Sequence, residues 1–228
     1  MKKLLKIVLI TIGSLVVIGG ILFLIFNEAL PTGKQGEEAD ALAKKVLKAL
    51  NHKAYKKTQY LEWSFGDEHF YKWDKKNNSV VVSWGENEVH LFTSEPEKSK
   101  VLKPENSTDK EALISDAFSY FNNDSFWLVA PYKIFDSGTE RRLVSYEGKE
   151  ALLITYKSGG ETPGDSYLWI LNENGLPQHY KMWAKIIPVG GLGASWSDWV
   201  TTSTGALLPS KHETPFGTMS MGDVKAFN

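Results

Sequence analysis

Among its 228 residues the chain has no cysteine. That excludes disulfides, thiolate metal sites, cysteine nucleophiles and a lipid-modified N-terminal cysteine, so any exported domain must be held by its core alone. Charge of one sign is lacking too, with 26 Lys and Arg against 27 Asp and Glu. Taking the three positive charges of Lys2, Lys3 and Lys6 away from the net −1 leaves −4 for the rest. No basic surplus remains to neutralise phosphates, so a nucleic-acid partner is not expected. Catalytic signatures are missing as well. There is no Gly-x-Ser-x-Gly elbow, Ser-x-x-Lys, phosphate loop or His-Glu-x-x-His, and Gly190-Gly191-Leu192-Gly193 lacks the spacing and the following helix that cradle a pyrophosphate. Nothing in these residues calls for a cofactor.

One long apolar run is present. Ile7 to Phe26 are twenty uncharged positions, preceded by Lys2, Lys3 and Lys6 and followed by Asn27 and Glu28. At about 1.5 Å per residue such a helix covers a hydrocarbon core of roughly 30 Å, and the lysines hold its N-terminus in the cytoplasm. The run exceeds a signal-peptide apolar region and has no small-x-small cleavage site beside it, so it reads as an uncleaved signal-anchor. This predicts an anchor over residues 1–30, a linker over 31–36 containing Pro31 and Gly33, and a periplasmic domain over 37–228. The location implied is the inner membrane, single-pass, with the C-terminal domain outside the cytoplasm.

Glu37 to Lys57 reads as an amphipathic helix, with Ala39, Leu42, Ala43, Val46, Leu47 and Leu50 at three- and four-residue steps. The period then changes to two. Leu61 to Phe65, His69 to Trp73, Ser79 to Trp84 and Glu88 to Phe92 predict an antiparallel meander. Ser94 to Ser107 reads as a loop, Asp109 to Phe121 as a second helix, and Phe126 to Val129 as a short apolar run. Leu152 to Tyr156, Tyr167 to Leu171, Gln178 to Trp183, Trp196 to Thr202 and Thr218 to Lys225 read as further strands, with Asn174-Gly175 as a hairpin turn.

Candidate chemistry is sparse. Glu88 and His90 share one face of a strand, and His69 on a neighbouring strand could join them as a zinc site. Asp67, Glu68 and Glu140 could supply paired carboxylates. Half-exposed histidines and solvated turn carboxylates are the ordinary readings of both. The aromatics stand out more. Eight tryptophans, at 63, 73, 84, 127, 169, 183, 196 and 199, lie on or beside predicted strands. Some must fill a core; others can line an apolar cavity between sheet and helices. Alternation points to Trp63, Phe65, Trp84, Trp169 and Trp183 as the ligand-lining set, if they share a face.

The stretches 68–75 (EHFYKWDK), 123–133 (NDSFWLVAPYK), 162–167 (TPGDSY) and 174–177 (NGLP), in that order, resemble an uncharacterised family of exported bacterial proteins. That family is similar in layout to the LolA-like carriers of outer-membrane lipoproteins. The resemblance implies an α+β fold in which a strongly curved, unclosed antiparallel sheet, a half-barrel, is covered by helices around an apolar cavity, here preceded by one transmembrane helix. It implies binding of an apolar or lipid-like ligand without chemistry. It carries over no catalytic residue. The alternatives are an envelope regulatory or assembly module that recognises a partner protein with no small-molecule ligand, and a metal-dependent hydrolase using His69, His90 and nearby carboxylates.

Overall fold

The computed structural model describes residues 2–228, apart from the side chains of 2–5, 7–9, 15, 16, 21 and 22. Helix α1 spans Lys2–Phe26. Among the described residues no helix is long and apolar enough to cross a membrane. The span expected at Ile7 to Phe26 lies partly outside those residues, because seven of its side chains are not described.

The expected helix over 37–57 is two helices, α2 at Glu37–Ala49 and α3 at His52–Lys57. Asn51 separates them with a left-handed φ of 56°, a conformation that asparagine tolerates better than most residues. Its side-chain amide donates to the Gly205 carbonyl at 2.8 Å. In α2, Ala39, Ala43, Val46 and Leu47 are buried, as the three- and four-residue spacing requires.

Fourteen strands follow among the described residues. They are β1 (Tyr60–Phe65), β2 (His69–Asp74), β3 (Ser79–Trp84), β4 (Asn87–Phe92) and β5 (Lys100–Lys103), then β6 (Thr139–Tyr146), β7 (Lys149–Tyr156), β8 (Ser166–Leu171), β9 (Pro177–Trp183), β10 (Leu192–Ser195), β11 (Ser197–Thr201), β12 (Leu207–Thr214), β13 (Gly217–Ser220) and β14 (Lys225–Phe227). They pair antiparallel in three sheets, ordered β14-β1-β2-β3-β4-β5, β10-β9-β8-β7-β6 and β11-β12-β13. Hydrogen bonds join the sheets. Trp196, the single residue between β10 and β11, donates its N–H to the Gln178 carbonyl at 2.7 Å, and the His212 ring on β12 bonds the Ser195 carbonyl at 2.9 Å. Ser64 and Gly66 donate to the carbonyls of Met221 and Ser220 at 3.1 and 3.0 Å, tying β1 to the end of β13. The strands thus follow one antiparallel path from β5 to β6, and the sheets are not closed.

Several of these strands depart from the sequence expectation. β5 lies inside the predicted loop 94–107, β6, β10 and β12 match no predicted strand, and the single strand predicted over Thr218 to Lys225 is two, β13 and β14, paired in different sheets with residues 221–224 outside any strand. In β6, Arg141 and Arg142 interrupt the apolar alternation, and Arg141 is accommodated by an ion pair with Asp40 at 2.6 Å. Helix α4 runs Lys110–Val129, so Phe126 to Val129 is its last turn and not a separate apolar run. Four consecutive apolar residues read equally as strand or buried helix; packing decides.

The core is one continuous cluster between the inner sheet face and α2 and α4. Cross-strand columns such as Trp63, Tyr71, Val82 and Val89, or Leu152, Trp169 and Tyr180, fill it. A smaller cluster of Val144, Ala151, Leu153 and Leu168, with Tyr146 and Trp183 against it, lies apart from this core; alternation along β7, β8 and β9 puts it on the outer face.

The segment expected as a linker is laid along the sheet. Lys34 and Leu143 exchange backbone hydrogen bonds of 2.9 and 2.8 Å. At Gly33 a Cβ would stand 2.7 Å from the Leu143 carbonyl oxygen, so only glycine lets the strap approach this edge. Nearer α1, Glu28 donates its N–H to the Gly190 carbonyl at 2.9 Å, its carbonyl accepts from Trp183 Nε1 at 2.7 Å, and its carboxylate pairs with Lys181.

Candidate functional site

The C-terminal half of α4 forms one wall of a cleft of about 440 Å³. Helical spacing puts Phe121, Ser125 and Phe126 on this wall together with Asn122, Asn123 and Trp127; Tyr156 and Tyr167, at the ends of β7 and β8, and Trp73 on β2 complete an aromatic floor. Phe126 lies 4.7 Å from the ring of Tyr167 and 5.3 Å from that of Tyr156, centroid to centroid. Burial pushes both tyrosine hydroxyls well above their ordinary range, so they stay protonated and can donate.

The rim is polar. Loop 157–165 borders the mouth and is clasped to α4 by Asn122, whose amide donates to Glu161 at 2.8 Å. Buried Asp165 accepts from Thr162 and from the Lys185 N–H, the latter at 3.0 Å. Lys133 and Asp136 pair at 2.5 Å beside it. An apolar floor under a rim of amides, hydroxyls and paired charges suits an amphiphilic guest.

Of the five residues expected to line a cavity, none belongs to this wall. Trp63 is buried and stacked on Tyr71 at 4.5 Å. Trp169 is fully buried, 5.7 Å from Trp196. Phe65 lies against His69 at 6.4 Å and Trp84 against Tyr120 at 5.5 Å, both half-buried. Alternation on β9 sends Tyr180 and Met182 inward, so Trp183 packs on the other cluster. The expected shared face therefore holds Trp63, Phe65, Trp84 and Trp169 but not Trp183.

A second constellation escaped the sequence. On α4, Ala117, Phe121, Asp124 and Leu128 recur at three- and four-residue steps and are all buried, which places a carboxylate in a core position. Asp124 Oδ2 accepts from Tyr71 at 2.5 Å and from His69 Nδ1 at 2.7 Å, and Asn123 donates to Oδ1 at 2.8 Å. Burial and the Asp124 charge push the Tyr71 hydroxyl far up. The legible signal was an aspartate where the helix period demands an apolar residue.

The zinc triad does not assemble. His69 pairs across to Trp84, whereas Glu88 and His90 lie opposite Ser83 and Val81, on the other face of the sheet. Among the described residues no group of three or more candidate ligands could hold a metal. Glu140 is taken up by Arg142 and Lys157, each at 2.6 Å.

No family model matches the chain, and no curated protein matches it. The crystal structure of a DUF1329 family protein from Desulfovibrio piger is similar to this chain with a TM-score of 0.43 at 9% identity, covering 84% of this chain and 94% of that one.

Proposed function

We propose that the chain is an inner-membrane-anchored, non-enzymatic periplasmic protein that holds an apolar or lipid-like ligand against the inner face of a LolA-like half-barrel. The aromatic cleft between α4 and β7–β8 carries this reading. It is large enough for an acyl chain or a small amphiphile, and its donors sit at the rim where a headgroup would lie. The hydrogen bonds that join the three sheets support the half-barrel, and the uncharged run Ile7 to Phe26 behind three lysines supports the anchor. The His69–Asp124 pair serves as a structural lock between sheet and helix.

The test places a photoactivatable benzophenone amino acid at Phe126 in the full chain and irradiates it in native membranes. A lipid-mass adduct is expected. An adduct of protein mass transfers the site to the partner-recognition reading, and the absence of any intermolecular adduct removes the ligand.

A further inference from the structure

Outside α1, the two most exposed large apolar side chains are Ile186, 75% exposed, and Phe216, 85% exposed. Each lies in a turn, Ile186 between β9 and β10 and Phe216 between β12 and β13. A lone exposed hydrophobe means nothing by itself. Here topology puts both at one end of the sheet. The β9–β10 turn precedes β10, the chain runs through β11, and antiparallel β12 returns it, with the Glu213 N–H donating to Ser195 Oγ at 2.8 Å. The β12–β13 turn therefore emerges beside the start of β10.

This is also the end at which α1 meets the domain. Gly190, in the same turn as Ile186, donates to the Asn27 side chain at 2.8 Å and accepts from Glu28 at 2.9 Å. A Cβ on Gly190 would lie 2.6 Å from the Glu28 carbonyl oxygen, so the contact is close and fixes the turn against the first residues beyond the apolar helix. The turn is compact, with the Ile187 N–H bonded to the Ala184 carbonyl at 2.9 Å. Exposed Lys185 precedes Ile186, the pairing of ammonium and aliphatic side chain that suits a headgroup boundary.

We propose that Ile186 and Phe216 form a two-point insertion surface that seats this end of the domain on the phospholipid bilayer around the exit of α1. The inference rests on the anchor reading above. It has a consequence for the cleft. Lys185 bonds both Asp165 and the Pro163 carbonyl, so the lipid-seated turn is tied to the loop that borders the cleft mouth, which places that mouth next to the source of an acyl ligand.

The absence of native cysteine makes the test direct. Single substitutions Leu24→Cys, Ile186→Cys, Phe216→Cys and Asn174→Cys are labelled with a bimane fluorophore in the full chain. The chain is reconstituted in phosphatidylcholine–phosphatidylglycerol vesicles with and without a doxyl-labelled lipid. Asn174 lies in the β8–β9 turn, at the opposite end of the sheet. Loss of most of the fluorescence at 24, 186 and 216 but not at 174 is expected. Quenching at 24 alone, or at only one of 186 and 216, overturns the insertion surface and leaves the anchor standing. No quenching at 24 overturns the anchor, and the surface with it.

Discussion

Asp124, all but removed from solvent on α4, holds His69 of β2 at 2.7 Å. With Tyr71 on the same oxygen, one carboxylate fastens the helix that walls the cleft to the sheet beneath it. Asp124→Ala leaves the buried Tyr71 hydroxyl and the half-buried His69 ring without their acceptor and is expected to cost about 1–3 kcal/mol. Tyr71→Phe removes one donor and is expected to cost roughly 1 kcal/mol. Denaturant titrations followed by tryptophan fluorescence measure both, and an Asp124→Ala chain as stable as the parent ends the lock.

His212 is solvent-free, ringed by Trp127, Tyr180 and Trp196 at 5.6, 6.3 and 4.9 Å. Burial lowers its pKa below the ordinary value, against the Ser195 carbonyl, which raises it. The folded chain therefore keeps the ring neutral while the unfolded chain takes up a proton as pH falls past about 6.5. The unfolded state binds more protons in that window, so stability is full above it and declines as pH drops toward the folded value. Between about pH 7 and pH 5 the parent should lose more stability than His212→Gln. Parallel curves for the two chains would exclude the effect.

Core and cleft should separate by mutation. Trp169→Ala opens a hole in the fully buried column and is expected to cost roughly 3–5 kcal/mol, with ligand occupancy per folded molecule unchanged. Ser125→Trp fills the cleft from a half-buried position on its wall and is expected to stay within about 0.5 kcal/mol of the parent, while lipid recovered from the purified chain by mass spectrometry falls. If both variants change only stability, the aromatics of the cleft are core.

The anchor predicts topology. Protease added to spheroplasts should digest residues 37–228, and a C-terminal tag should lose its signal before the inner membrane is lysed. A tag protected until lysis reverses the orientation, and a mature chain that starts near residue 30 removes the anchor.

Much of the fold could be read locally. Leu61, Trp63 and Phe65 alternate with Glu62, Ser64 and Gly66, and a period of two states which side chains share a face. The strands hidden from this reading break the alternation for reasons that lie elsewhere in the chain. Arg141 is tolerated in β6 because Asp40 on α2 meets it, and Pro209 fits in β12 opposite Trp199. The same limit hid the site. Periodicity placed Trp63 and Trp169 on an inner face, but it could not say that Phe121 of α4 would pack on the first and Trp196 on the second, leaving the cleft to Phe126, Tyr156 and Tyr167.

By itself, then, the amino-acid sequence determined the cysteine-free core, the apolar N-terminal run, the amphipathic α2 and the meander β1–β4, because each follows from composition or from contacts a few residues apart. Only the tertiary structure decided that Phe126 to Val129 is helix, that Asp124 belongs with His69 and Tyr71, that residues 27–35 strap the sheet, and where the cleft opens. Those features rest on side chains separated by 55 positions in the case of His69 and Asp124 and by 163 in the case of Asn27 and Gly190. No local period encodes such a distance; it is set when the whole apolar surface finds its common burial.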